Sequence, residues 1–195
     1  MRRTVAAVAA VAAVLLAGCV PQAPPSPTPS PTPTFMCTPE AGGTEAPCSE
    51  QEYQKMKMKD ALYAEAEQVY RTYQAEFLKV IRAGGADQLT PELKVVVGSD
   101  DVEKAIVAEL KNFKNSHLSI TGPGAQIVDA VRKPGLVRGD SVVTMAFCID
   151  SRKTKIRQKG KSIGGGVLGV ETTYFSRIDN TLKMTYIDGK EVKKC

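Results

Sequence analysis

The sequence predicts an α+β domain, with a long N-terminal helix and a second helix packed on a curved antiparallel sheet. Two changes of pattern predict it. After Cys48 apolar residues recur at three- and four-residue spacing as far as Gly84-Gly85. Beyond His117 the period falls to two and β-branched residues take over, so helices and then strands segregate within one domain. Residues 37–195 are long enough to bury a core of their own.

The first helix opens at Ser49-x-x-Glu52, a capping box in which each side chain satisfies a backbone N–H of the first turn. Leu62, Ala66, Val69, Tyr73, Phe77 and Val80 then form one stripe, giving a helix of about 33 residues. The aromatic part of the stripe reads as core packing rather than as the wall of a ligand site. Thr90-Pro91 pairs an N-cap with a first-turn proline, and a short helical segment runs to Val97 before Gly98 breaks it. Ser99 or Asp100 caps a further helix with Val102, Ile106, Leu110 and Phe113 on one face. Strands follow at 118–121, 126–132, 140–150, 170–178 and 182–188, with a tight turn at Asp179-Asn180. In the third strand Val143, Met145, Phe147 and Ile149 make the more apolar face.

Residues 1–18 carry a basic start, Arg2-Arg3, and an apolar run from Val5 to Leu16 that is too short to span a bilayer. Leu16-Ala17-Gly18-Cys19 looks like a bacterial lipobox, which makes Cys19 the lipidation site. Two acyl chains anchor a protein stably where one does not. The expected location is the outer face of the cytoplasmic membrane in a Gram-positive type envelope, with the membrane reached through the lipid. Residues 19–36 form a stalk, in which proline occupies every second position on average between Pro21 and Thr34. Such a segment favours extended polyproline II.

Export sets an oxidising compartment, where disulfides persist. With Cys19 taken by lipid, Cys37, Cys48, Cys148 and Cys195 remain, and four cysteines allow three pairings. Pro39, Gly42, Gly43 and Pro47 make the first interval turn-rich, which favours Cys37 with Cys48 and leaves Cys148 for Cys195. A metal site is not expected, because His117 is the sole histidine and no C-x₂₋₄-C spacing occurs.

Cys37-Thr38-Pro39-Glu40-Ala41-Gly42-Gly43, the helical stretch from Tyr63 to Arg71, and Met145 to Asp150 resemble segments of small actinobacterial lipoproteins. Those proteins carry a nuclear transport factor 2-like (SnoaL-like) domain. The resemblance implies a cone-like α+β fold and spans nearly all of residues 37–195. The final hairpin of that group commonly carries a tryptophan after an Asp-Gly turn; this chain has no tryptophan and reads Asp179-Asn180-Thr181-Leu182.

Enzymes of that fold place an acid or base inside the cone, which makes Asp150, Tyr174, Tyr186 and His117 the candidates here. Asp150 ends a strand beside basic residues and His117 sits at a helix-to-strand junction, so both read as solvated groups rather than as catalysts. Gly164-x-Gly166-x-x-Gly169 has the spacing of a dinucleotide fingerprint but is followed by strand-like residues, and reads as a glycine loop in a hairpin. Arg152, Lys153, Lys155, Arg157, Lys159 and Lys161 form a basic run without aromatic interleaving. That run suits an anionic wall polymer or an envelope protein, not nucleic acid. The expected function is a non-enzymatic surface lipoprotein that binds a ligand or partner without a cofactor. The alternatives are a cyclase- or isomerase-type enzyme and an envelope accessory or exclusion factor working through the basic run. An open cavity holding a buried carboxylate favours the enzyme; a dry interior filled by Met145, Phe147 and Tyr73 opposes it.

Overall fold

A computed structural model describes residues 34–195. The lipobox, Cys19 and all of the stalk but its last residues lie outside the described residues. Within the described part, three helices pack on antiparallel strands, an α+β arrangement.

The domain opens with a small hairpin, β1 (Phe35–Cys37) and β2 (Ala46–Cys48), closed by a Cys37–Cys48 disulfide. Helix α1 (Glu50–Arg82) starts at Ser49 with the full capping box: Glu52 accepts from the Ser49 backbone N–H at 2.8 Å, and Ser49 accepts from that of Glu52 at 3.3 Å. Its end is set by Gly85, at φ +88°, where a side chain would collide with the Leu110 backbone of the neighbouring helix. Helices α2 (Pro91–Val96) and α3 (Asp100–Asn115) follow, capped by Thr90 and Ser99.

Strands β3 (Leu118–Thr121), β4 (Gln126–Arg132), β5 (Val143–Asp150), β6 (Lys155–Gln158), β7 (Lys161–Gly165), β8 (Leu168–Ile178) and β9 (Thr181–Glu191) complete the domain. They form two sheets, ordered β4-β5-β8-β9 and β3-β6-β7. The sheets follow from one long hairpin. β5 pairs with β8, the ribbon breaks at Ser151 and Gly166, and β6 and β7 continue it into the second sheet. The break is pinned: Ser151 N–H donates to the Val167 carbonyl at 2.9 Å and Gly166 N–H to that of Thr154 at 2.9 Å.

Several strand bounds differ from expectation. The predicted strand 140–150 begins only at Val143, because residues 138–141 are spent on a turn in which Ser141 N–H donates to the Arg138 carbonyl. The last two strands are longer than predicted and reach Leu168 and Glu191. The expected turn at Asp179-Asn180 is present with both residues at positive φ, and it aligns Ile178 with Thr181 without help from a tryptophan. The glycine loop is not a loop. Gly164 and Gly165 lie in β7 and Gly169 in β8, while a side chain at Gly166 would strike Ser151 at the bend. The basic run folds as the β6–β7 hairpin about Lys159-Gly160, a two-residue turn with positive φ at both positions. Its strands were hard to read because β7 is exposed throughout and lacks the apolar alternation of a half-buried strand.

The main core lies between α1 and the inner face of the four-stranded sheet, where Val143, Met145, Phe147 and Ile149 face the helices as the period-two reading expected. The other face of β5 is covered too. Thr144 Oγ1 donates to the Leu136 carbonyl at 2.6 Å, and Cys148 is bonded to Cys195.

Candidate functional site

Two cavities, of about 330 and about 320 Å³, share Tyr73, Glu109 and Glu171 as common wall. The second is the more apolar, bounded by Phe77, Leu78, Ile81, Phe113, Ile149 and Ile156. That size and lining match a small-molecule site, which is mostly apolar with a few fixed polar groups.

Glu171 is placed by the sheet. It lies opposite Phe147 on β5 and Gly189 on β9, with a glycine on one side and an aromatic ring on the other. Phe147 stacks on Tyr70 of α1, with ring centroids 3.7 Å apart and planes 4° from parallel. Tyr70 in turn donates its hydroxyl hydrogen to Glu171 Oε2 at 2.6 Å, while Gln74 Nε2 donates to the Tyr70 oxygen at 2.9 Å. Amide, phenol and carboxylate thus form one directed chain from the helix into the cavity. Both Tyr70 and Phe147 are fully buried.

Burial raises the Glu171 pKa above the ordinary carboxylate range, outweighing the Tyr70 hydrogen bond, which lowers it. Glu109 on α3 is raised by desolvation and then by the charge of Glu171. Glu109 is the more exposed residue of the two, so Glu171 is the defining group of the site. Tyr70 and Tyr73 are pushed far upward by burial, with Glu171 contributing to both, and remain protonated phenols.

A carboxyl whose pKa is raised by folding contributes stability that is full below its unfolded pKa of about 4 and is lost as pH rises through the folded value. Glu171 faces Tyr70 and Tyr73 from α1 and Glu109 from α3, and its strand neighbours Phe147 and Gly189 carry no charge. Glu171→Gln keeps the Tyr70 acceptor and cannot ionise. Its melting temperature should therefore gain on the parent as pH rises from about 4, and a difference that stays constant with pH would refute the assignment.

The residues singled out in the sequence are dispersed. Asp150 is held at a pKa of about 2, chiefly by hydrogen bonds from Arg152, and pairs with that guanidinium at 2.7 Å. It is therefore a poor proton acceptor at neutral pH. His117 is exposed, at positive φ just past α3, where its N–H donates to the Lys114 carbonyl. Tyr174 is buried against Tyr186 on the opposite face of β8 from Glu171. Tyr186 alone of the four lines a cavity with Glu171, and Arg138 covers its ring at 4.4 Å while pairing with Asp188. In β6, Lys155 and Arg157 are exposed, whereas Ile156 lines the cavity and Gln158 donates to the Ser116 carbonyl. The basic face thus points away from the cavity.

The sequence singles out none of Glu171, Glu109 and Tyr70 as site residues, and favours core packing over a pocket wall for Tyr73 and Phe77. Tyr73 does pack in the core, yet it also lines both cavities. The chain matches no family model, no curated protein and no solved structure. Among the described residues no group of three or more His, Cys, Asp or Glu is arranged to hold a metal, and no helix is long and apolar enough to cross a membrane.

Proposed function

We propose that this protein is a lipid-anchored surface domain of the nuclear transport factor 2-like kind that binds a small molecule in the cavity beneath α1. The observation that carries the reading is the pairing of an apolar chamber of about 320 Å³ with one fixed carboxylate at its wall. Met145 and Phe147 fill the middle of the sheet, and space remains beside them. Ala125 lines that space, so Ala125→Phe adds a ring to it and leaves the Glu171 side chain itself unaltered. A fluorine NMR screen of small aromatic fragments against the full chain should give ligands that Ala125→Phe no longer binds. If every ligand binds the filled variant equally well, the chamber is not the site.

A second reading is favoured by the Gln74–Tyr70–Glu171 chain. A carboxyl whose pKa burial raises is a stronger proton acceptor than an ordinary carboxylate, which suits the task of the base in a cyclase or isomerase. Glu171, not Asp150, is the residue for that role. Chemical change in a bound fragment, lost in Glu171→Gln while binding persists, would favour this reading over simple binding.

The anchor has its own test. Cys19→Ser removes the acceptor thiol of the lipobox, and the protein should lose its acyl chains. Metabolic labelling with an alkyne fatty acid should mark the parent and leave the variant blank. Label retained on the variant would rule out Cys19.

A further inference from the structure

We infer that the cavity beside Glu171 takes an organic cation, an ammonium group carried on an aromatic or aliphatic body. The inference rests on the ligand-binding reading and adds the class of ligand.

Charge and lining carry it together. Glu171 and Glu109 share the wall of the chamber, and no Lys, Arg or His lines it. Neither glutamate has an ion-pair partner among the described residues, although eight other pairs form. Glu171 is only partly exposed, and Arg138, the arginine lining the adjoining cavity, is paired with Asp188, so a bound cation supplies the countercharge that neither glutamate finds in the protein. The aromatic rings of Tyr73, Phe77 and Phe113 border the same space and present faces or edges that suit a cation or its apolar body.

Thr154 supplies an independent pointer. It is 5 % exposed, lines the same chamber, and its Oγ1 has no hydrogen-bond partner. A buried hydroxyl without a partner is uncommon, and an ammonium carries three donors to distribute over nearby oxygens. A hydrated metal ion fits poorly: calcium and magnesium take about six oxygens or more, and the remaining wall is largely apolar. An anion meets two carboxylates, while Lys155 and Arg157 of β6 face outward.

The test uses three probes of one shape: 1-naphthylmethylammonium, 1-naphthylmethanol and 1-naphthoate, each titrated calorimetrically into the purified full chain. The ammonium should bind about tenfold or more tightly than the alcohol, as expected of a hydrogen bond gaining a charged donor, and the carboxylate should bind least. Glu171→Gln should bring the ammonium close to the affinity of the alcohol, and a cooperative thermal transition reports that the variant is folded. An alcohol that binds the parent as well as the ammonium does overturns the cation inference and leaves the ligand-binding reading standing. If none of the three binds the parent, both fall.

Discussion

Phe147→Ala should destabilise the domain by about 3–5 kcal/mol, the usual range for removing a buried phenylalanine ring. At about 2–4 °C per kcal/mol for a domain of this size, the melting temperature should fall by roughly 10 °C. The effect should reach beyond the core. Phe147 holds the ring of Tyr70, and the Tyr70 hydroxyl holds Glu171. Phe147→Leu keeps most of the volume but not the stack, and should cost less in stability while still loosening the carboxylate. A double-mutant cycle between Phe147→Leu and Tyr70→Phe should couple the ring stack to the hydroxyl hydrogen bond by about 0.5 kcal/mol or more. Strict additivity would show that the ring stack does not position the site.

Removing the Cys148–Cys195 bridge should have a comparable effect. It closes a loop with a sequence separation of 47, and on the chain-entropy account a loop of this length contributes about 4 kcal/mol. The Cys37–Cys48 separation of 11 gives about 3 on the same account. Cys148 is buried on the outer face of β5, so replacing both partners with alanine leaves no polar group stranded there. The guanidinium midpoint of the double alanine variant should fall well below that of the parent. An unchanged midpoint would show that the tail after β9 is held by its packing alone.

The sequence made the helices plain because their ends are chemical. Ser49 and Glu52 close a capping box, Thr90 and Ser99 cap the next two helices, and Gly85 sits where any side chain would meet the backbone of α3. The α+β class followed, as did both disulfide pairings. The carboxylate was within reach but overlooked. Period two puts Glu171 on the same face of β8 as Thr173 and Phe175, and a charge on a core face is a signal in itself. Glu109 falls three residues after Ile106, beside the apolar stripe of α3. What no spacing revealed is the meeting of Tyr70 with Glu171, since their separation of 101 residues is closed only by the packing of α1 on the sheet. Asp150 and His117 stand out in sequence as lone titratable groups at element ends, yet Asp150 is held by Arg152 two residues away and His117 is exposed.

The hairpin before α1 also has a mechanical meaning. Its disulfide joins Cys37 to Cys48, two residues before the helix begins at Glu50, and Tyr63 ties the hairpin loop down by donating to Glu40 at 2.8 Å. A tug on the chain at Thr34 therefore passes through the sulfur bridge to the start of the helix, bypassing residues 38–47. Without that bridge the loop would pay out roughly 35 Å of slack at about 3.3–3.6 Å per residue before the helix felt the load. With it, a pull at Thr34 reaches the start of α1 at once, and the loop of residues 38–47 carries none of the load.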